Sequence, residues 1–190
     1  MGRILRLLKK GMDFEFGKTK HESIEAKTIA NDYIYAGAFD GSNADARLDE
    51  ALSAASNGDV VMLENAQYSS ERTITTQLLL IGTMSSRSAG TEIAESWTFD
   101  TLAKLTNVII RVSTTEIQFN ANGSSASDIA FRGISPTVRF SASQCAIYNT
   151  IATGTDGAIV FDEGTSGGLA DSIRGPSVTD NGDNTVGDIA

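Results

Sequence analysis

Three strand-like triplets recur at an interval of 21 residues: Ile117-Gln118-Phe119, Val138-Arg139-Phe140 and Ile159-Val160-Phe161. The first and third residues of each are apolar and share one side of a strand, while the middle residue faces the other way. Only Val160 departs from a polar middle position. A fixed period of about 20 or more residues marks a chain built from stacked units. This unit is too short and too rich in strand formers for a pair of helices. It predicts one coil of a parallel β-helix, in which successive turns of backbone lay like side chains over like. The same step sets Val108 and Ile110 over Ile129 and Phe131 as inward columns, and Arg111 over Arg132 on the opposite face. Asn120, Ser141 and Asp162 form a polar column at a corner. Inward columns of this kind build a continuous core. Two stacked arginines repel unless a carboxylate lies beside them, and Glu116 or Asp128 is the expected neighbour.

The rest of the chain divides around that repeat: an arm (1–30), a strand with a capping helix (31–58), the parallel β-helix (59–174) and a terminal cap (175–190). In the second part, Ser42 followed by Asp45 is a capping-box-like helix start. Ala44, Leu48, Ala51, Leu52 and Ala55 then fall on one helical face, and Asn57-Gly58 ends it. So narrow an apolar stripe suits a helix that covers the open end of a stack of coils. From residue 59 the pattern becomes strand-like. Strands are expected at 59–63, 73–76, 78–81, 93–99, 108–112, 116–120, 128–132, 137–141, 145–149 and 158–162, separated by Gly/Ser/Asn turns. That makes about five or six coils. The step from Ile93 to Ile117 is 24 residues, which predicts a loop on an early coil. Asn181-Gly182 is a tight-turn signal. It predicts a final hairpin, or a strand, that covers the last coil or pairs with a neighbour, because uncapped ends aggregate.

Charge is unevenly spread over the net −9. Residues 1–27 hold seven basic and four acidic residues, a net +3; the remainder holds eight and twenty, a net −12. An acidic body repels phosphate, which argues against nucleic acid as a partner. After Lys27 only Lys104 remains among the lysines, a composition that suits a very salty medium, where charge is screened. The single cysteine, Cys145, excludes an internal disulfide and reads as a small buried hydrophobe. No stretch approaches 18 apolar residues, so no membrane-spanning helix is expected. The first ten residues lack the apolar core and small-residue cleavage site of a secretory leader.

The arm carries Ile4, Leu5, Leu7 and Leu8 among Arg3, Arg6, Lys9 and Lys10. As a helix this is basic and amphipathic, and could lie on a membrane surface, dock in a partner's groove or pack on the body. The composition shift at Lys27 favours a separate anchoring role, with Ile4, Leu5, Leu7, Leu8, Phe14 and Phe16 as the partner-anchoring residues. Asp13-Phe14-Glu15-Phe16 alternates polar and apolar and could add a strand to a neighbour. His21 is the only histidine and has no Cys or His companions, so no metal site and no cofactor is expected.

Residues 40–82 resemble the N-terminal part of the pectate-lyase-like right-handed parallel β-helix family. The resemblance rests on Asp40-Gly-Ser-Asn-Ala-Asp45, the helix that follows, Asn57-Gly-Asp-Val-Val61, Tyr68 and Leu79-Leu-Ile-Gly82. The departure is at Glu64-Asn-Ala-Gln-Tyr68, where the family usually has Pro and Gly before the Tyr. The same fold recurs in spikes, fibres and surface turrets of tailed viruses, which carry a short N-terminal arm that plugs into the particle. The resemblance therefore implies a structural virion protein at the particle surface, assembled in the host cytoplasm and anchored through residues 1–30 to other virion proteins. The salty-medium composition would then point to a halophilic host. Small viral β-helices usually need symmetric partners: a trimer suits a fibre, a pentamer a turret.

Enzymes of this family cleave polysaccharides. They use paired carboxylates facing a groove, or a bound Ca²⁺ with a basic residue as proton acceptor. Glu95, Asp100, Glu116, Asp128, Asp162 and Glu163 are the acids available, and none forms a recognised motif, so no catalytic residue is assigned. Glycan binding without cleavage asks for an exposed aromatic and polar side chains. Trp97, Arg111, Gln118, Arg132, Arg139 and Tyr148 are the candidates, with host-surface glycan or surface-layer protein as the ligand. The expected function is attachment; the alternative is a polysaccharide lyase or glycoside hydrolase.

Overall fold

Trp97 lies beneath Ile117, and Phe99, Phe119, Phe140 and Phe161 follow one another in parallel register. Their rings stack at centroid spacings of 4.9, 5.1 and 5.1 Å. The computed structural model describes residues 33–86, 89–111, 115–133, 135–152 and 157–187. They form a β-solenoid of about five turns with one short helix near its start. Residues 1–32, including the arm, lie outside the described residues.

Two parallel sheets run the length of the stack. The first comprises β1 (Tyr33–Tyr35), β2 (Asp59–Met62), β5 (Leu78–Ile81), β10 (Ala103–Arg111), β12 (Ser125–Arg132), β14 (Ala146–Ala152), β16 (Ser166–Arg174) and β18 (Asp183–Val186), with β3 (Gln67–Tyr68) and β8 (Glu92–Ile93) joining beside β10. The second comprises β4 (Arg72–Ile74), β9 (Trp97–Phe99), β11 (Glu116–Phe119), β13 (Thr137–Phe140), β15 (Ala158–Phe161) and β17 (Ser177–Asp180). A small antiparallel hairpin, β6 (Met84–Ser86) and β7 (Ala89–Gly90), stands apart. Each coil gives a strand to each sheet. The buried columns between them form one core, from Ile34 to Ile173.

Register explains the long strands. Within β10, β12 and β14, pairing skips one residue per strand: Asn107, Asp128 and Asn149. These residues have φ of 61°, 54° and 48°, and Ser172 in β16 has 57°. Left-handed backbone is sparsely populated by non-glycine residues, with Asn and Asp the most tolerant. The bend changes which alternate residue faces in, so Leu105 and Val108, three apart, both reach the core. It folds the first sheet into two flanks. Asn149 Nδ2 donates to Asp128 Oδ1 at 2.6 Å, and Asn107 Nδ2 donates to the Gly82 carbonyl at 2.9 Å, which ties successive bends together.

Helix α1 (Ala44–Ala54) buries Ala44, Leu48 and Ala51, as its spacing predicts, with Leu52 packed against the core. Its cap is Asn43 rather than Ser42: Asn43 Oδ1 accepts from the Ala46 N–H at 2.8 Å. Asp45 turns outward instead, accepting from the Ser69 N–H and pairing with Arg72.

Three further expectations are corrected. The partner of Ile117 is Trp97, 20 residues earlier, not Ile93, which pairs with Ile110 in the other sheet. The extra length belongs to the preceding coil, where Ile74 to Phe99 takes 25 residues and includes the β6–β7 hairpin. Residues 93–99 are not one strand, because a corner separates β8 from β9. Of the two endings expected, the hairpin is absent and the strand that covers the last coil is present: β17 and β18 add in parallel to different sheets, and Asn181-Gly182 turns the corner between them.

The last coil ends the column with an exposed polar residue. Asp180 takes the register position above Phe161. Its Oδ1 accepts from Asn184 Nδ2 at 2.7 Å and the Gly182 N–H at 2.9 Å, while Asn184 Oδ1 accepts from the Gly168 N–H at 2.8 Å. Asn184 and then the Gly182 N–H hold the Asp180 carboxyl below its ordinary range. A polar pair finishes the phenylalanine column.

Candidate functional site

The outward residues of the second sheet form the most developed polar face. Gln118 and Arg139 are register neighbours, as the 21-residue step predicts. Arg139 lies between two acids, with Nε 3.0 Å from Glu116 Oε2 and Nη1 2.6 Å from Asp162 Oδ1. Ser141 Oγ donates to Asp162 Oδ2 at 2.6 Å, and Gln118 Nε2 reaches Ser141 Oγ at 3.2 Å and Asn120 Oδ1 at 2.9 Å. Asn120 Nδ2 donates to Asp100 Oδ1 at 2.7 Å. The corner column of Asn120, Ser141 and Asp162 is thus one hydrogen-bonded ladder. Each partly exposed ion pair contributes roughly 0–1 kcal/mol; the stronger effect is to fix the side chains of consecutive coils against one another.

Chemistry at this face is constrained by the same contacts. A glycosidase needs two carboxylates free to act on opposite sides of a sugar; here a guanidinium sits between Glu116 and Asp162 and engages both. The bond to Glu116, more than that to Asp162, raises the Arg139 pKa above its ordinary value, against a smaller opposing effect of burial. A proton acceptor in a lyase would need the opposite shift. Beside the ladder, a shallow open depression of about 640 Å³ is lined by Asp162, Glu163 and Asn181.

Arg111 and Arg132 stack as expected, but their carboxylate is Glu92, not Glu116 or Asp128. Glu92 Oε2 lies 2.6 Å from Arg111 Nη1, and its Oε1 lies 3.2 Å from Arg132 Nη1. Glu92 comes from β8, next to β10 through the Ile109 and Ile110 pairing. Its side chain reaches the flank beyond the Asn107 bend, which a period count cannot place. Tyr148 is 39% exposed on the other flank of that sheet.

Trp97 is fully buried, so its ring is closed to a sugar. Its indole N–H donates to the Ser70 carbonyl at 3.2 Å, and its ring meets Tyr68 edge-on at 5.8 Å. Arg72 covers it and joins the helix through Asp45 and Asp49 at 2.8 and 3.0 Å. Burial pushes the Tyr68 hydroxyl up to about 12. The same cause raises the Cys145 thiol, buried as its apolar surroundings predict.

The structure therefore brings Gln118 to Arg139 and Arg111 to Arg132, on separate faces, with Tyr148 on a third and Trp97 inside. The exposed aromatics that sequence reasoning missed are Tyr33 and Tyr35. Their alternation with buried Ile34 was the available signal. Ile4, Leu5, Leu7, Leu8, Phe14 and Phe16 lie outside the described residues. Among the described residues, no group of three or more potential ligands is placed to hold a metal ion, and no helix is long and apolar enough to cross a membrane. Compared with family models, curated proteins and solved structures, the chain matches none.

Proposed function

We propose that the chain is a structural β-solenoid of a particle surface, a virion fibre, spike or turret, anchored through residues 1–30 and presenting its polar flank to host-surface glycan. The observation that carries this reading is the ladder from Asp100 through Asn120, Gln118 and Ser141 to Asp162 and Arg139. It makes an outward face whose hydrogen-bonding groups are fixed from coil to coil, as a spacer or a binding flank requires and a proton-transfer site does not. The resemblance of residues 40–82 to pectate-lyase-like proteins and the basic arm ahead of an acidic body support the same reading. Symmetric assembly of several copies fits a solenoid of this size.

Two measurements test it. Deleting residues 1–27 should leave the solenoid's circular dichroism unchanged while abolishing incorporation into the particle; a truncated chain that unfolds, or still enters particles, refutes the anchor. Against an array of acidic and neutral glycans, the full chain should bind without depolymerising them, and Arg139→Ala should weaken binding. Release of shorter or unsaturated sugars would move the assignment to a lyase or hydrolase.

A further inference from the structure

The outer face of the first sheet exposes large apolar side chains at its first strands. Tyr33 stands beside Val60 and then Leu79, and Tyr35 beside Met62 and then Ile81. Tyr33 is 71% exposed, Tyr35 51% and Met62 39%. The next coil puts Lys104 and Thr106 at these positions, which ends the patch. None of its six residues is charged, in a body of net −12. Adjacent exposed apolar side chains mark a contact surface.

The chemistry of the patch narrows its occupant. A sugar on the tyrosines would need polar side chains around it, and Met62, Leu79 and Ile81 offer none. An anionic lipid surface would need several unpaired basic residues; Lys104 stands in register with the patch, and Arg47, within electrostatic reach of Tyr35, is already paired with Glu64. Strands about 4.8 Å apart make this face only about 10 Å wide. A stable dimer uses about 800 Å² per partner, far more than such a face supplies. The patch has the size of one extended segment.

We propose that Asp13-Phe14-Glu15-Phe16 of the same chain covers this patch. In an extended segment Phe14 and Phe16 lie on one side, about 7 Å apart, the spacing that Tyr33 and Tyr35 also have; Asp13 and Glu15 then face solvent. The chain enters the patch itself at Tyr33, and residues 17–32 span up to about 50 Å when extended, ample to return. Tethering gives the segment a high effective concentration at its own patch. Net +3 over residues 1–27 favours approach to the acidic body. This goes beyond the anchoring role and leaves Ile4 to Leu8 free for a partner.

Tryptic cleavage after Lys10 and Lys18, which flank the segment, tests the contact on the full chain. Cleavage should be about tenfold or more slower in the unaltered chain than in Met62→Asp or in the double variant Phe14→Asp, Phe16→Asp, since either change removes apolar burial. Light scattering should report the same oligomeric state for all three chains. Equal rates in all three chains overturn the proposal, as does a dimer that Met62→Asp dissolves, which would seat a second copy on the patch. The double variant alters no strand among the described residues and decides the matter if Met62→Asp misfolds. Because the readout is proteolysis of the isolated chain, its failure is separate from a failure to enter particles.

Discussion

Arg72 lies over the indole of Trp97, with its guanidinium carbon 5.4 Å from the ring centroid. Trp97 begins the inward column that continues through Ile117 and Val138, so the contact seals the core at the helix end. The Arg72 side chain is 5% exposed, and its guanidinium bridges Asp45 and Asp49 of α1. It is a cation held by carboxylates, an aromatic face and the Ser70 and Asp45 carbonyls.

Arg72→Ala should therefore destabilise the chain by about 2–4 kcal/mol, because it uncovers Trp97 and leaves the partly buried Asp45 with only the Ser69 N–H. Arg72→Lys should recover only part of this, since an ammonium cannot reproduce the planar fork. Urea denaturation followed by Trp97 fluorescence measures both; equal stability of Arg72→Ala and the parent would show that the helix is held by Leu48 and Ala51 alone.

Phe140 is stacked on both sides, at 5.1 Å from Phe119 and from Phe161. Phe140→Ala should cost about 3–5 kcal/mol through lost burial and the cavity it leaves. Phe140→Leu should cost clearly less. Thermal unfolding of the two variants gives the comparison, and a loss confined to residues after 140 in hydrogen exchange would show that coils unfold separately.

At the bend, backbone conformation and side chain can be separated. Asn149→Val should destabilise by about 1–3 kcal/mol, because a β-branched residue resists φ of 48°. Asn149→Gly keeps the conformation and loses only the bond to Asp128, so its cost should stay within about 1 kcal/mol. If glycine proves as damaging as valine in chemical denaturation, the Asn149–Asp128 ladder dominates over the bend.

Alkaline stability should follow Tyr68. Its folded-state pKa of about 12 exceeds the ordinary value near 10. The neutral phenol thus stabilises the fold fully below pH about 10, and this contribution fades as pH rises toward 12. Phenolate absorbance from Tyr68 should appear late, with unfolding, and Tyr68→Phe should remove that part of the alkaline transition. Early titration of all four tyrosines in a still-folded chain would contradict the burial of this hydroxyl.

The 21-residue step made the winding legible, because stacked coils repeat their inward residues and Val108, Ile110, Ile129 and Phe131 are large enough to reveal it. The same count could not foresee the bend at Asn107, Asp128 and Asn149. Those residues are also ordinary turn residues, and only pairing on both sides places them inside a strand. Asn43 displaced Ser42 as helix cap by a single residue, which either side chain could have filled. Trp97 was a glycan-binding candidate as the only tryptophan, near the early loop that the 24-residue step implied. Its burial follows from the inward parity it shares with Phe99. Glu92 was missed as the partner of Arg111 and Arg132 because it comes from an irregular early coil, outside the period.

The substitution of Asp180 for a fifth phenylalanine means that the rod's height is encoded by where polarity interrupts the column. Duplicating one 21-residue unit upstream should raise that height by a single strand spacing, about 4.8 Å, with both termini unchanged. Evolution could thereby adjust how far such a projection stands from its base, without redesigning either extremity.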